Sequence, residues 1–294
     1  MILVCGALHL DVVVTAPRLP ALDETLVGQQ VRYAMGGKGG NQAVAAARLG
    51  ARVAFAGRVG SDAYGQQILA TLGGAGVDTT AVKRGAGASG MSVAIVQEGG
   101  EYGAVIVSAE NLNIVADDIE IPSETRIVVL QNEVPEAVNL GLAVRARSLG
   151  VKVILNAAPA RNLPAGLLAN TDVLVVNRGE GHALLGQSLP PEQTCAGLAQ
   201  LGPAAVILTL GSEGLILSAD GQIQRLPAHN VKMISSHGAG DAFIGALAAE
   251  WDRGATLRGA ARFAAAAAAC HVATPPEAQG KITQARVRGL MGSV

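Results

Sequence analysis

Two hydrophobic patterns alternate along most of this 294-residue chain. Short runs of β-branched and other apolar residues are followed by longer stretches in which apolar residues recur at helical spacing. This alternation is typical of strand–helix–strand crossover units, and therefore of an α/β fold with a mostly parallel central sheet. Several strand runs are continuously apolar, which predicts helices on both faces of the sheet. The predicted strands are Ile2–Cys5, Val53–Ala56, Ile127–Leu130, Val151–Leu155, Val173–Val176 and Val206–Leu210. The predicted helices are Asn41–Leu49, Tyr64–Leu72, Glu136–Leu149, Glu192–Leu201, Ala242–Trp251 and Leu257–His271.

Two segments, Val12–Met35 and Ser89–Ser108, interrupt this alternation. Both alternate in the manner of strands, contain glycine or proline, and have no intervening helix. In the second, the residues around Gln97-Glu98-Gly99-Gly100 predict a β-hairpin. We expect the two segments to pair into a small sheet that covers one mouth of the site. Additional edge strands of the main sheet are the alternative.

No internal repeat, low-complexity linker or domain boundary is visible. We therefore expect a single domain over residues 1–294, with lid segments inserted at about residues 12–35 and 89–108. Half of the residues are hydrophobic but only 2% are aromatic, so the core must consist mostly of Ala, Val, Leu and Ile.

Charge and composition exclude several kinds of partner. The net charge is −1, without a basic run, and aromatic residues are scarce, which argues against nucleic-acid binding. The longest alanine run, Ala264–Ala269, is too short to span a bilayer, so no membrane partner is expected. The three cysteines, Cys5, Cys195 and Cys270, lack metal-binding spacing and are expected to be buried thiols in a reducing cytoplasm.

The segment Ser235–Phe243 carries the sharpest chemical signal. Gly238, Ala239 and Gly240 are followed by Asp241 and by a helix-like run. Backbone N–H groups at a helix N-terminus bind anions, and a carboxylate there would repel such an anion. Asp241 is therefore a candidate general base beside a developing negative charge, as in phosphoryl transfer to a hydroxyl. The alternative is an acidic residue that is favoured in the first turn by the helix dipole.

A second signal is the glycine-rich segment Gly36–Gln42. Its four glycines allow the backbone to approach a ligand, and Asn41 can cap the helix or donate its amide to a hydroxyl. Lys38 within the segment favours a polar ligand over a simple capped turn. The spacing fits neither a Walker loop nor a dinucleotide fingerprint.

Polar residues also follow several predicted strands. Asp11 lies shortly after the first strand, at the edge where open α/β sheets bind ligands, and could accept hydrogen bonds from two sugar hydroxyls. It could equally form a turn. His9 lies two residues earlier, and a histidine beside apolar residues is more often structural. Glu133 follows the strand Ile127–Leu130, which places it at the same edge.

Asn177 and Glu180 follow the predicted strand Val173–Val176, at the same edge. Glu180 could reach a magnesium ion through water, because magnesium usually retains several waters. Ordinary helix capping is the alternative. Thr209–Gly214 offers small residues and N–H groups to nucleotide phosphates, or forms a simple hairpin turn. The chain has no Gly-x-Ser-x-Gly motif and no zinc spacing among its histidines, which argues against a serine hydrolase and a zinc site.

Taken in order, these motifs resemble those of the ribokinase-like (phosphofructokinase-B) carbohydrate kinase family, and within it the ribokinase branch. The resemblance covers essentially the whole chain. It rests on Gly6–Asp11, Gly36–Ala43, Gly57–Asp62 with Gly65, Leu155–Arg161, Asn177 with Glu180, Thr209–Gly214 and Gly238–Asp241.

This resemblance implies an ATP-dependent kinase that phosphorylates a primary hydroxyl of a small sugar, ribose or a related one. Asp241 would be the catalytic base, and the N–H groups of Gly238, Ala239 and Gly240 would form the anion hole. The irregular β segments would be the family's lid, through which a homodimer is expected. The implied sugar-pocket residues are His9, Asp11, Gly37, Lys38, Asn41 and Glu133. The implied nucleotide-site residues are Asn177, Thr209, Gly211, Ser212 and Gly214, with Glu180 near Mg²⁺.

The chain departs from the family pattern at three places. Ser235-Ser236 stands where Asp-Thr is usual in the family. The aspartate there helps to bind an activating cation, and a neutral serine lacks its charge. This difference argues against activation by potassium. His9 stands where ribokinase has Asn, so the substrate could differ from ribose. The tail Thr274–Gly280 matches only loosely the Gly-Ala-Gln-Pro-Ser segment that is expected near the cation and the adenine.

Two other functions remain as alternatives at this stage. A nucleoside kinase of the same family would need aromatic residues to stack a base, and only Tyr33 and Tyr102 in the lid segments are candidates. The second alternative is a non-catalytic protein that binds a sugar or a nucleotide. The intact Asp241 and Glu180 argue against it.

Overall fold

A computed structural model describes residues 1–97 and 101–292 of the chain. Its strands form a large sheet and a separate small sheet. The large sheet contains β1 (Ile2–Cys5), β4 (Val53–Gly60), β5 (Val77–Asp78), β6 (Val82–Gly85), β9 (Ile127–Gln131), β10 (Lys152–Asn156), β11 (Val173–Asn177), β12 (Ala205–Thr209), β13 (Leu215–Ala219) and β14 (Gln222–Leu226). The small sheet contains β2 (His9–Ala16), β3 (Gln30–Gly36), β7 (Gly90–Gln97) and β8 (Tyr102–Val107).

The large sheet is mostly parallel, as predicted. Its strand order is β14-β13-β12-β11-β10-β9-β1-β4-β5, with β6 also paired to β4. The strands from β4 through β1, β9, β10 and β11 to β12 are parallel neighbours, and only β13 and β14 add antiparallel pairs. The carboxyl ends of the parallel strands therefore meet at one edge, where polar loop residues collect.

Helices cover both faces of this sheet. Their bounds are α1 (Lys38–Arg48), α2 (Ala63–Gly74), α3 (Glu136–Ser148), α4 (Ala165–Ala169), α5 (Arg178–Leu185), α6 (Pro191–Ala199), α7 (Ala239–Asp252), α8 (Leu257–Val272) and α9 (Gln284–Met291). Ile2 and Val4 of β1 belong to one buried cluster, and Leu3 and Cys5 belong to the other. Since successive strand residues point to opposite faces, a continuously apolar strand serves two cores at once.

Small side chains allow the helices at the site to pack closely. A Cβ atom on Gly245 of α7 would lie 2.6 Å from the Cβ of Ala45 on α1, so the two helices meet with no room for a larger residue. This close approach brings the first turn of α7 next to the first turn of α1.

The two irregular segments form the small sheet, in the order β3-β2-β7-β8. The alternative of edge strands on the main sheet is wrong, because none of these four strands pairs with it. The sheet begins earlier than predicted, at His9, so both His9 and Asp11 belong to it. Glu98, Gly99 and Gly100 of the predicted hairpin turn lie outside the described residues.

Two functional helices start three residues earlier than predicted. α1 begins at Lys38 after Gly37, and α7 begins at Ala239 after Gly238. Both glycines have a positive φ, of 88° and 75°. The glycine-rich residues therefore form the first helical turns, and not a loop before them. The sequence prediction omitted β5, β6, β13, β14, α4 and α9, which are short elements with a weak periodic signal.

Candidate active site

The loops and helix starts at the carboxyl edge of the large sheet enclose a cavity of about 220 Å³. It brings together residues that lie far apart in the sequence and that were predicted separately. Those lining it are Lys38, Asn177, Glu180, Thr209, Gly238, Ala239, Gly240 and Asp241.

Asp241 lies in the first turn of α7, and both of its carboxylate oxygens accept side-chain hydrogen bonds from α1. Asn41 donates from Nδ2 to Oδ2 at 3.2 Å. Gln42 donates from Nε2 to Oδ1 at 3.0 Å. The two amides come from consecutive residues of α1, so the pairing requires the close packing of α1 against α7.

Burial raises the pKa of Asp241, while the Lys38 ammonium and the Gln42 and Asn41 amides lower it. A carboxylate with a raised pKa is a better proton acceptor at neutral pH than an ordinary aspartate. The ionised Asp241 carboxylate is stabilised by two uncharged amide donors and by the charge of the Lys38 ammonium. Among the described residues it forms no ion pair, so Asp241 can take a proton without first breaking one.

The turn before Asp241 presents backbone amides to the cavity. Gly238 is the N-cap of α7 in the left-handed conformation. The amide of Ala239 donates to the carbonyl of Ser236 at 3.2 Å. Within the described part of the chain, the amides of Gly238, Gly240 and Asp241 have no protein acceptor, and these are the amides available to an anion.

Glu133 and Lys38 connect β9 to α1. The Glu133 carboxylate accepts a hydrogen bond from the backbone N–H of Lys38 at 2.7 Å, at the start of α1. Burial raises the pKa of Glu133, and the charges of Asp241 and Asp11 raise it further. The charges of Asp241 and Asp11 therefore act on Glu133 across this part of the molecule.

Asp11 lies on β2 of the small sheet, where its carboxylate covers Gly36 of β3. A Cβ atom on Gly36 would collide with that carboxylate, so a larger residue at this position would displace the Asp11 side chain. Burial raises the pKa of Asp11, and the charges of His237 and Arg32 lower it. The sequence prediction placed Asp11 after a main-sheet strand; it instead reaches the site from the small sheet.

His9 lies two residues before Asp11 and therefore on the same face of β2. Its side chain is 2% exposed, and its Nε2 has no hydrogen-bond partner among the described residues. Burial lowers the pKa of His9 to about 4, so the imidazole is neutral at pH 7. A buried imidazole nitrogen without a protein partner is free to bond a ligand or a water.

Asn177 and Glu180 form a reciprocal capping box at the start of α5. Asn177 Oδ1 accepts from the Glu180 amide at 2.9 Å, and Glu180 Oε2 accepts from the Asn177 amide at 2.8 Å. The capping alternative from the sequence is thus present in the structure. It does not remove Glu180 from the site, because both residues also line the cavity. Burial raises the pKa of Glu180.

The segment after β12 is a tight hairpin, as one reading of the sequence predicted. Gly211–Glu213 form a 3₁₀ turn between β12 and β13. Thr209 lines the cavity and donates its hydroxyl to Val176 O at 3.2 Å. Gly211 and Ser212 are exposed and are not among the residues that line the cavity, while Gly214 packs against the backbone of Leu226.

Comparison with known proteins agrees with this architecture. The sequence model of the pfkB family of carbohydrate kinases matches residues 1–280. The chain belongs to this family. Haemophilus influenzae ribokinase is 34% identical over 290 residues, covering 95% of this chain and 94% of the relative. Salmonella typhi deoxyribokinase is 30% identical over 257 residues, 84% of each chain.

A solved structure, of Arabidopsis thaliana ribokinase complexed with ribose and ATP, matches with a TM-score of 0.92 and 31% identity. The match covers 99% of this chain and 98% of that one. The predicted ribokinase-like fold is thereby confirmed, and so is the predicted activity class, an ATP-dependent carbohydrate kinase that transfers phosphate to an alcohol group.

Two residues of this kinase site were missed by the sequence prediction. Gln42 bonds Asp241, and Asn156, at the end of β10, bonds Gln42. Both belong to motifs that support the family resemblance, but a buried amide gives no sequence signal of its own. Only the contact between α1 and α7 shows that Gln42 reaches Asp241.

Proposed function

We propose that this kinase phosphorylates ribose or a related small sugar, with Asp241 as the general base. The observation that carries the proposal is the position of Asp241. Its carboxylate lies at the N-terminus of α7, beside three backbone amides that have no protein acceptor among the described residues, and lines a cavity shared with Lys38 and Glu180. The named relatives, which include a ribokinase complexed with ribose and ATP, support the substrate class.

In the proposed reaction, a primary hydroxyl of the sugar attacks the γ-phosphorus of ATP. Asp241 takes the hydroxyl proton as the new O–P bond forms. The bond from the γ-phosphorus to the bridging oxygen breaks, and ADP leaves with that electron pair. The amides at the start of α7 stabilise the charge on the transferred phosphoryl group, which needs positioning and charge stabilisation more than covalent help.

The proposed sugar pocket is formed by Asp11 and His9 from the small sheet and by Gly37, Lys38, Asn41 and Glu133. Asp11 and Glu133 provide acceptors for sugar hydroxyls, and the free Nε2 of His9 provides one further polar contact. The small sheet would then act as a lid that excludes water from the transferred phosphoryl group.

The proposed nucleotide site comprises Asn177, Thr209, Gly211, Ser212 and Gly214, with Glu180 near the phosphates. Among the described residues, no three His, Cys, Asp or Glu side chains converge as a resident metal site. A magnesium ion that arrives with ATP needs only one or two protein carboxylates in addition to phosphate oxygens and water, and Glu180 Oε1 fits that requirement. Such an ion would neutralise charge on the phosphates.

Potassium activation is not part of the proposal. Ser235 stands at the position where a carboxylate would be needed, and its hydroxyl oxygen accepts a hydrogen bond from the His237 amide at 3.3 Å within the same turn. A neutral oxygen that is already engaged is a poor cation ligand.

We further propose a cytoplasmic homodimer formed through the small sheet. The three cysteines are free and buried, as in proteins of a reducing compartment. Within the described residues, no helix has the length and apolarity that a membrane span requires. One face of the small sheet carries an exposed apolar row, which is typical of an interaction surface.

2-Deoxyribose is the second candidate substrate, because a deoxyribokinase is among the relatives, at 30% identity over 84% of this chain. A nucleoside is less favoured. Tyr33 pairs with Val12, so it points to the face of the small sheet opposite that of Asp11. The side chain of Tyr102 lies outside the described residues.

A phosphorylation assay tests the proposal. The purified chain is given ATP and magnesium with ribose, 2-deoxyribose, other pentoses, hexoses and nucleosides, in sodium or potassium buffer. We expect turnover of ribose or 2-deoxyribose, a loss on the order of 10²- to 10⁴-fold in Asp241→Asn, and the same rate in both buffers. Turnover of a nucleoside alone, or an Asp241→Asn variant as active as the wild type, would contradict the proposal. A severalfold increase in potassium would contradict the interpretation of Ser235.

A further inference from the structure

Gln42 is a buried side chain whose amide nitrogen joins two acceptors. It is 1% exposed, and its Nε2 donates to Asp241 Oδ1 at 3.0 Å and to Asn156 Oδ1 at 3.1 Å. A carboxylate can only accept hydrogen bonds when ionised, so the amide nitrogen, and not the amide oxygen, must face Asp241. The orientation of the Gln42 amide is therefore determined by its partner.

The contact continues from Gln42 into the central sheet. Asn156 is the last residue of β10, and its Nδ2 donates to the carbonyl of Val175 on β11 at 3.3 Å. Two amides thus connect Asp241 Oδ1 to the backbone of a buried strand. A catalytic side chain that is tied to a rigid element holds its geometry better than one that is held only by its own helix.

The two oxygens of Asp241 differ in their surroundings. Oδ1 is bonded by the fully buried Gln42. Oδ2 is bonded at 3.2 Å by Asn41, which is only partly buried and belongs to the proposed sugar pocket. One oxygen is therefore bonded from the interior, and the other is bonded by a residue that solvent partly reaches.

We infer that Gln42 is a positioning residue for Asp241: it holds Oδ1 so that Oδ2 is presented to the sugar hydroxyl and takes its proton. This inference rests on the proposed function, because it assigns Gln42 a role through the proposed base. Gln42 itself touches neither the sugar pocket nor the nucleotide site among the described contacts.

The charges that face Asp241 come from several elements. Lys38 on α1 and His237 before α7 favour its ionised form, and Glu133 after β9 and Glu180 on α5 interact with it as like charges. None of these groups changes when the Gln42 amide is removed. A shift in the titration of Asp241 on that removal therefore reports the lost hydrogen bond.

The test compares Gln42→Met with Gln131→Met. Methionine keeps the length of glutamine and removes the amide. Gln131 is 0% exposed at the end of β9, and neither of its amide atoms has a partner in the described part of the chain, so it controls for the loss of a buried amide.

We expect Gln42→Met to lower kcat by about 10- to 100-fold with little change in either KM, because the bond lost is to a charged group. We expect the acid limb of its kcat/KM profile to move to higher pH, and Gln131→Met to keep the wild-type rate and profile.

A second measurement does not depend on activity. The ¹³Cγ signal of Asp241, assigned by its loss in Asp241→Asn, is titrated in the wild type and in both methionine variants. A higher midpoint in Gln42→Met alone supports the inference, even if no sugar is phosphorylated and the proposed function fails. Equal midpoints and equal rates in the two variants, in an active kinase, would overturn the inference and leave the proposed function standing.

Discussion

At the level of single residues, the site contains several ionisable side chains whose burial disfavours their charged form. Burial raises the pKa of Asp11, Glu133, Glu180 and Asp241, and it lowers that of His9. Such a concentration is costly for folding and is common where charge must be moved or bound. The sequence placed all five residues in one site, but His9, Asp11, Glu180 and Asp241 each had a plausible structural alternative when considered alone.

His9 gives the residue-scale prediction. Its folded pKa is about 4, against about 6.5 when unfolded, so between these values the unfolded chain binds more protons and stability falls as the pH falls. From pH 7 to pH 5 the wild type should lose about 2 kcal/mol through this residue, a loss that His9→Asn should lack. Urea unfolding at several pH values measures the difference, in which the contributions of the unchanged carboxylates cancel. Parallel stability curves for the two proteins would show that His9 is not held neutral by the fold.

At the level of secondary-structure elements, two helix starts form the site. α1 and α7 each follow a glycine with a positive φ, and each directs its first turn at the cavity. The glycine patterns were visible in the sequence. Their exact place was not, because the prediction treated them as loops before the helices. A left-handed N-cap lets the chain turn directly into the helix, and this conformation cannot be read from composition.

Gly238 gives the element-scale prediction. Its φ of 75° is unfavourable for alanine, and a Cβ there would lie 3.1 Å from His271 Nε2. Gly238→Ala should destabilise the protein by about 1–2 kcal/mol and lower kcat by at least about tenfold, because the amides beside Asp241 are displaced. Gly150→Ala is the control: it has a φ of 70° after α3 and nothing within 4 Å of its Cβ position. Thermal unfolding and kinase assays of both variants separate strain from function. If both lose stability and neither loses activity, the turn does not bind the transferred group.

At the level of the whole molecule, the large sheet carries the cavity, and the separate small sheet carries Asp11, whose charge interacts with that of Glu133. On one face of the small sheet, Tyr33, Val12, Val93 and Val105 form a row across four strands. Tyr33, Val93 and Val105 are 55%, 41% and 67% exposed. Asp11 lies on the opposite face, so an apolar interface and the sugar pocket can share one sheet without competing.

This surface gives the whole-molecule prediction. The chain should sediment as a dimer, and Val105→Lys should dissociate it, because a charge placed in an apolar interface is costly to bury. Val144→Lys is the matched control, since Val144 is also an exposed valine, 46% accessible, but lies on α3 of the main body. Analytical ultracentrifugation of the three proteins measures the outcome. A monomeric wild type, or a dimer that survives in Val105→Lys, would place the association elsewhere or exclude it.

The sequence by itself determined the α/β class, the longer parallel strands and the residues proposed for the site, because hydrophobic periodicity and glycine spacing are local properties. The tertiary structure decided which of these residues meet. It placed Asp11 and His9 on a separate sheet, brought Asn177 and Glu180 to the same cavity as Lys38 and Asp241, and brought Gln42 to Asp241. Each of these depends on contacts between segments that are far apart in the chain, and such contacts follow from packing, on which a local pattern carries no information.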